Sequence, residues 1–241
     1  MKSGKAFIGT SGWKYRHWEG TFYPANLKKK DQLQYFTANF DTVELNNSFY
    51  RQPTLQNFEA WEAQSPTHFT YAVKANRYFT HLKKLNVSRN EIVEFLDASL
   101  GLGKKLGPIL FQLPPKWQIN TERLERFLEI LPSGYRYTFE FRNQTWDHEA
   151  VFALLKQYNC AFCIYDLGGH QSPIVATADF VYIRLHGPGE KYQGSYSQSA
   201  LTKWAETCNA WLQEKKDVYV YFDNDQEGYA AFNAIELKKM M

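Results

Sequence analysis

The sequence predicts a single (β/α)8 barrel of the TIM type with a degenerate sixth helix. Eight short β-rich runs recur along the 241 residues, and seven of them are followed by a segment of helical character. Strict strand–helix alternation implies parallel strands joined by crossovers. No composition shift, proline-rich linker or low-complexity tract divides the chain, so residues 1–241 read as one domain of a length ordinary for one closed barrel. An open doubly wound sheet is the alternative, but no G-x-G-x-x-G follows any early strand.

The first run is AFIGT (6–10), followed by a helix near Lys29 to Phe40. DTVELN (41–46) precedes a helix near Thr54 to Gln64, with Thr54 as N-cap after Pro53 and with Phe58 and Trp61 on its inner face. FTYAVKA (69–75) precedes SRNEIVEFLDASLG, where Ser88 and Glu91 have capping-box spacing and Gly101 marks the stop. PILFQLP (108–114) precedes a helix whose Leu124, Phe127, Leu128 and Leu131 recur at helical spacing before Pro132. YTFEFR (137–142) leads to DHEAVFALLKQY, with Asp147 as the expected N-cap. AFCIYD (161–166) leads into GGHQSPIVATAD, which has no helical period. FVYIRLHG (180–187) precedes a glycine-rich loop and the helix SALTKWAETCNAWLQEK, and DVYVYFDND (217–225) precedes the last helix, near Tyr229 to Lys239.

Hydrophobic residues make up 44% of the chain and charged residues 22%, a globular balance. The formal net charge of +3 is spread over distant lysine pairs, unlike the footprint of a dedicated nucleic-acid binder. The opening MKSGKAFIGTSGW has a short apolar run soon broken by glycines, and nothing elsewhere approaches the ~20 apolar residues of a membrane span. A cytoplasmic protein with no membrane partner is the expectation. Three cysteines, an odd number, argue against a disulfide framework. Cys160 and Cys163 form a C-x-x-C, but on a buried strand that spacing sends the two side chains to opposite faces, so both read as core residues rather than a redox or zinc pair.

Strand alternation sorts the remaining side chains. With Val43, Val73, Phe111, Phe139, Phe141, Ile183 and Val220 turned toward the helices, Glu44, Asn46, Lys74, Gln112, Glu140, Arg142, Tyr182, Arg184, His186 and Asp223 face the barrel interior. The charged ones cluster toward the C-terminal strand ends, where barrel enzymes keep their chemistry. A structural ion network is the competing reading for any one pair. The whole ring argues for a site, because apolar side chains would fill a barrel interior at lower cost in desolvation. Above it, GTSGWKYRHWEGTFYP suits backbone approach to a ligand and ring stacking, or a packed cap. HGPGEKYQGSY reads as a mobile lid or an ordinary surface loop.

GTSGWKYRHWEGTFYP, FDTVELNNSFYRQP, LFQLPPKW, FEFRNQTW, VYIRLHG and VYFDNDQEGYAAFNAIEL together resemble the YecE-like family, known as domain of unknown function 72, over residues 7 to about 237. The resemblance implies a (β/α)8 barrel and carries no established activity. Its marked positions fall here on Gly12, Trp13, Glu44, Asn46, Tyr50, Gln112, Pro114, Glu140, Arg142, Trp146, Arg184, His186, Gly187 and Asn224. The chain departs from the pattern at Asn143, where histidine is frequent, and at Asp223, where asparagine is.

The leading functional expectation is an enzyme acting on a small anionic or polyhydroxylated substrate, such as a sugar phosphate. Arg142, Arg184 and Lys74 would hold the anion, while Glu44, Glu140 and His186 supply acid and base. Trp13 and Trp146 would stack on the substrate, and Asn46, Gln112 and Asn224 would complete its contacts. No cofactor is identified. A metal set of Glu140, Asp166, His186 and Asp223 ranks lower, because Arg142 and Arg184 would repel a cation. The alternatives are a nucleic-acid-binding or processing barrel, using the basic loop KANRYFTHLKK, and a non-catalytic ligand-binding protein.

Overall fold

Strand alternation builds a two-faced wall, and that wall closes on itself. The structure, a computed structural model, describes residues 3–241. Its eight barrel strands are β1 (Ala6–Thr10), β2 (Thr42–Leu45), β3 (Thr70–Lys74), β4 (Leu106–Gln112), β5 (Tyr137–Glu140), β6 (Ala161–Leu167), β7 (Phe180–Leu185) and β8 (Asp217–Phe222). Seven of the eight neighbouring pairs form parallel ladders, and β1 pairs with β8 from Ala6 opposite Val218 to Thr10 opposite Phe222. The seam between β1 and β2 is held at its C-terminal end by a bridge between Ser11 and Glu44, with the Gly12 N–H donating to the Glu44 carbonyl at 2.8 Å. At Gly9 a Cβ would lie 2.1 Å from the Thr42 carbonyl oxygen, so only glycine lets the two strands approach there. The result is a nearly closed TIM-type barrel.

The buried apolar residues fall into two separate clusters, one on each face of the wall. Val43, Val73, Phe111, Phe139, Ile183 and Val220 pack outward with helix residues such as Phe58, Leu96, Leu124 and Leu155. Ala72, Leu110, Cys163, Tyr182, Tyr219 and Tyr221 fill the lumen. Cys160 and Cys163 therefore lie on opposite sides of β6, and burial pushes the Cys160 thiol up to about 12. Neither thiol is poised for redox exchange.

Among the described residues, seven α-helices of eight or more residues surround the wall: α1 (Gln32–Asn39), α2 (Leu55–Ala63), α3 (Arg89–Ser99), α4 (Thr121–Ile130), α5 (Glu149–Gln157), α6 (Gln198–Gln213) and α7 (Tyr229–Met240). Thr54 and Ser88 cap α2 and α3 with full capping boxes. At α5 the cap is His148, whose Nδ1 accepts from the Ala150 N–H at 3.2 Å, and not Asp147. A 3-10 turn over Gln144–Trp146 draws Trp146 into the outer core and delays the helix.

No helix follows β6. His170–Gln171 folds back antiparallel on the end of β6, and the segment beyond serves β6 with side chains. The Ser172 hydroxyl accepts from the Tyr165 N–H at 2.8 Å, and the Thr177 hydroxyl accepts from the Phe162 N–H at 2.7 Å and donates to the Cys160 carbonyl. Among the described residues no helix is long and apolar enough to cross a membrane.

Candidate functional site at the C-terminal mouth

Five strands deliver charge to one place. Arg184, at the end of β7 and 1% exposed, is the hub. Its Nη2 donates to Glu44 Oε1 on β2 at 2.7 Å and its Nη1 to Glu140 Oε2 on β5 at 2.7 Å, with Asp223 Oδ2 beyond β8 at 3.3 Å from Nη2. The Arg142 Nε donates to the other Glu140 oxygen, and the guanidinium lies over the Tyr165 ring at 5.2 Å. Glu44 is further fixed by the Tyr182 hydroxyl at 2.6 Å and the Ser11 hydroxyl at 2.7 Å. Lys74, at the end of β3, completes three cations against three carboxylates.

His186 is held as a neutral ring. Its Nδ1 faces Asp223 Oδ2 at 2.9 Å and so carries the proton, which leaves Nε2 to accept from Arg142 Nη2 at 3.0 Å. Burial, then the Arg184 charge, lowers its pKa to about 4 against the pull of Asp223. Burial would raise the Glu140 carboxyl, but Arg142 and then Arg184 overcome it and hold that carboxyl far below the usual range. The sequence offers both groups as acid and base; in the fold Glu140 has both oxygens bound to guanidinium and no exposure, and His186 has both nitrogens occupied.

A folded-state pKa below the unfolded one means the unfolded chain takes up the proton first as pH falls. The contribution of His186 is therefore complete above its ordinary value near 6.5 and is lost as pH falls toward about 4. Wild type should lose about 3 kcal/mol through this group across that window, and His186→Asn should show a correspondingly flatter profile. Urea unfolding from pH 7 to pH 4 reads the difference, and parallel profiles would contradict the neutral buried ring.

Lys74 differs from the other cations. It is 9% exposed, and its ammonium makes no hydrogen bond or salt bridge among the described residues; the nitrogen sits 4.5 Å from the centre of the Phe49 ring. Burial, then Arg184, lowers its pKa to about 8 against the opposing pull of Glu140, Glu44 and Asp223. The four-residue helical turn Asn47–Tyr50 sets Phe49 in place, anchored by the Ser48 hydroxyl donating to the Lys74 carbonyl at 2.5 Å. Gln112 is half-buried at the end of β4, and its amide likewise makes no hydrogen bond among the described residues.

The loops divide. In HGPGEKYQGSY, Gly187 has φ +118, and a Cβ there would lie 2.3 Å from the Gln193 carbonyl oxygen, so the loop folds back on itself and sets the Tyr192 ring edge-on to His186 at 5.5 Å. The loop after β1 places Trp13 edge-on to Trp61 at 5.8 Å beside a cavity of about 300 Å³ that Asn46 also lines. Two expected ligand contacts lie elsewhere. Trp146 is fully buried in the outer layer, stacked on Phe141 at 4.7 Å with its N–H on the Trp117 carbonyl. Asn224 is buried too, and its amide ties the Gly194 carbonyl to Asn233 of α7. In KANRYFTHLKK, Phe79 is in the core and the Tyr78 hydroxyl is on Glu91 at 2.7 Å, which leaves cations but few free rings for bases. Among the described residues no group of three or more His, Cys, Asp or Glu side chains is placed to hold a metal ion, and Asp166 instead accepts from Tyr196 at 3.1 Å.

The family model described as "Protein of unknown function DUF72" matches residues 7–241. The chain belongs to the DUF72 family. The UPF0759 protein YunF of Bacillus subtilis is 26% identical over 98% of this chain and 94% of its own length. The UPF0759 protein YecE of Escherichia coli K12 is 24% identical over 57% of this chain and 48% of its own. The crystal structure of a DUF72 family protein from Thermotoga maritima MSB8 superposes with a TM-score of 0.89 at 29% identity, covering 98% of both chains. A putative vitamin-B12 independent methionine synthase from Listeria monocytogenes, at 8% identity and a TM-score of 0.54, shares the fold alone.

Several partners in this DUF72 chain escaped alternation. Ser11 and Tyr15 lie just past the end of β1, where strand parity no longer applies. The Tyr15 hydroxyl donates to the Ser11 carbonyl. Tyr192 reaches the ring from a loop that no periodicity describes.

Proposed function

We propose that the C-terminal mouth of the barrel is the active site of an enzyme acting on a small anionic or polyhydroxylated molecule, with Lys74 as its principal contact. The observation that carries this reading is the uncommitted ammonium of Lys74 beside a ring in which the other charges are paired. A largely desolvated cation with no protein partner costs stability unless something else requires it. A ligand phosphate, carboxylate or hydroxyl would supply the missing partner, with the free amide of Gln112 alongside.

Arg184, Glu44 and Glu140 then act as the rigid frame that fixes the electrostatic field of the mouth, a preorganised role rather than a direct contact. Asp223, with 17% of its side chain exposed and one oxygen bound to His186, is the ring carboxylate that a ligand can reach as a hydrogen-bond acceptor. The anion clamp narrows accordingly from three cations to Lys74, with Arg142 as a secondary contact.

Calorimetric titration at pH 7 with inorganic phosphate and with ribose 5-phosphate tests the reading. Wild type should bind at least one of them, and Lys74→Met should lose about 2–5 kcal/mol of that binding. Equal binding by both proteins, or none by wild type to either probe, would overturn it.

A further inference from the structure

Resting on the reading of the mouth as a small-molecule site, we infer that Lys74 is a covalent nucleophile that condenses with an aldehyde or ketone group of its ligand. An ammonium carries three N–H donors, and here none of them finds an acceptor among the described residues. An iminium on the same nitrogen carries a single N–H and the same positive charge. It therefore suits this site better than the ammonium does, while three carboxylates still face three cations. The Phe49 ring below the nitrogen stabilises either cation.

The groups around the nitrogen keep the free amine accessible. Burial, and then Arg184 on β7, disfavour the charged form, while Glu140, Glu44 and Asp223 favour it; the balance lowers the pKa of Lys74 to about 8. His81, across the Phe49 ring, is itself pushed down by burial and by the Lys74 charge, so it adds no second fixed cation at neutral pH. Lysines desolvated in this way are the ones that attack carbonyl carbon.

The step balances without a co-reactant. The ammonium releases a proton, the amine lone pair forms a C–N bond to the carbonyl carbon, and the C=O π pair moves to oxygen. Transfer of a proton from nitrogen and return of the first proton make that oxygen a leaving water. Ammonium and carbonyl compound thus give iminium and water.

Borohydride trapping with glyceraldehyde 3-phosphate tests the inference. Intact-mass and peptide analysis should show one reduced adduct, at Lys74, forming at least tenfold faster than on any surface lysine and half-maximal in rate near pH 8. Lys74→Arg, which keeps the charge, should abolish it. Adducts spread over surface lysines equally in wild type and Lys74→Arg would overturn the nucleophile. If phosphate binding still depends on Lys74 in that case, the anion site stands and only the covalent step fails; if neither is seen, both fail.

Discussion

Arg184→Ala should lower the stability of the protein by about 3–5 kcal/mol, the largest effect expected of any single change in the ring. Removing the guanidinium leaves Glu44 and Glu140 facing each other's charge in a site from which water is excluded. Each keeps a second partner, Tyr182 for Glu44 and Arg142 for Glu140, so the cost stays within the range for breaking one buried pair. The loss should shrink when one carboxylate is neutralised with it, so the double variant Arg184→Met with Glu44→Gln should recover part of the stability. Chemical unfolding of the three proteins checks this, and a loss below about 1 kcal/mol in Arg184→Ala would mean that water enters the ring freely.

Lys74→Met should have the opposite sign. The fold depresses the pKa of Lys74 from its ordinary value of 10.5 to about 8, so the folded protein holds the charged form at a penalty. At one pKa unit per ~1.4 kcal/mol the penalty is about 3 kcal/mol at neutral pH, and an uncharged side chain of similar length escapes it. The variant should therefore be more stable than wild type at pH 7 while losing phosphate binding. Stability given up at one residue for a ligand contact is the usual mark of a functional position.

Much of the fold was legible because alternation has a period of two and a barrel wall has two buried faces. Val43 and Val73 pack outward, and Glu44 and Lys74 reach the ring, as the pattern required. The pairing among ring members was not legible. Parity says that Arg184 and Arg142 share the lumen with Glu44 and Glu140, but not that opposite charges gathered there satisfy one another before any ligand arrives. Lys74 stands out only once those pairs are drawn. Trp146 and Asn224 came from the family pattern and not from parity; a 3-10 turn after β5 carries Trp146 into the outer layer, and the loop after β8 buries Asn224 against Asn233. Asp147 lost its capping role to the same turn.

That the Lys74 ammonium is largely desolvated and has no protein partner is tested most directly by the difference in unfolding free energy between wild type and Lys74→Met, followed from pH 7 to pH 9.5. Above about 8 the folded wild type sheds the Lys74 proton while the unfolded chain still holds it, so wild-type stability should gain on the variant by up to about 1.4 kcal/mol per pH unit. The predicted result is an advantage for Lys74→Met of about 3 kcal/mol at pH 7 that narrows steadily as pH rises. A variant less stable than wild type at pH 7, by a margin that does not change with pH, would show Lys74 to be an ordinary paired member of the ring and would contradict the site.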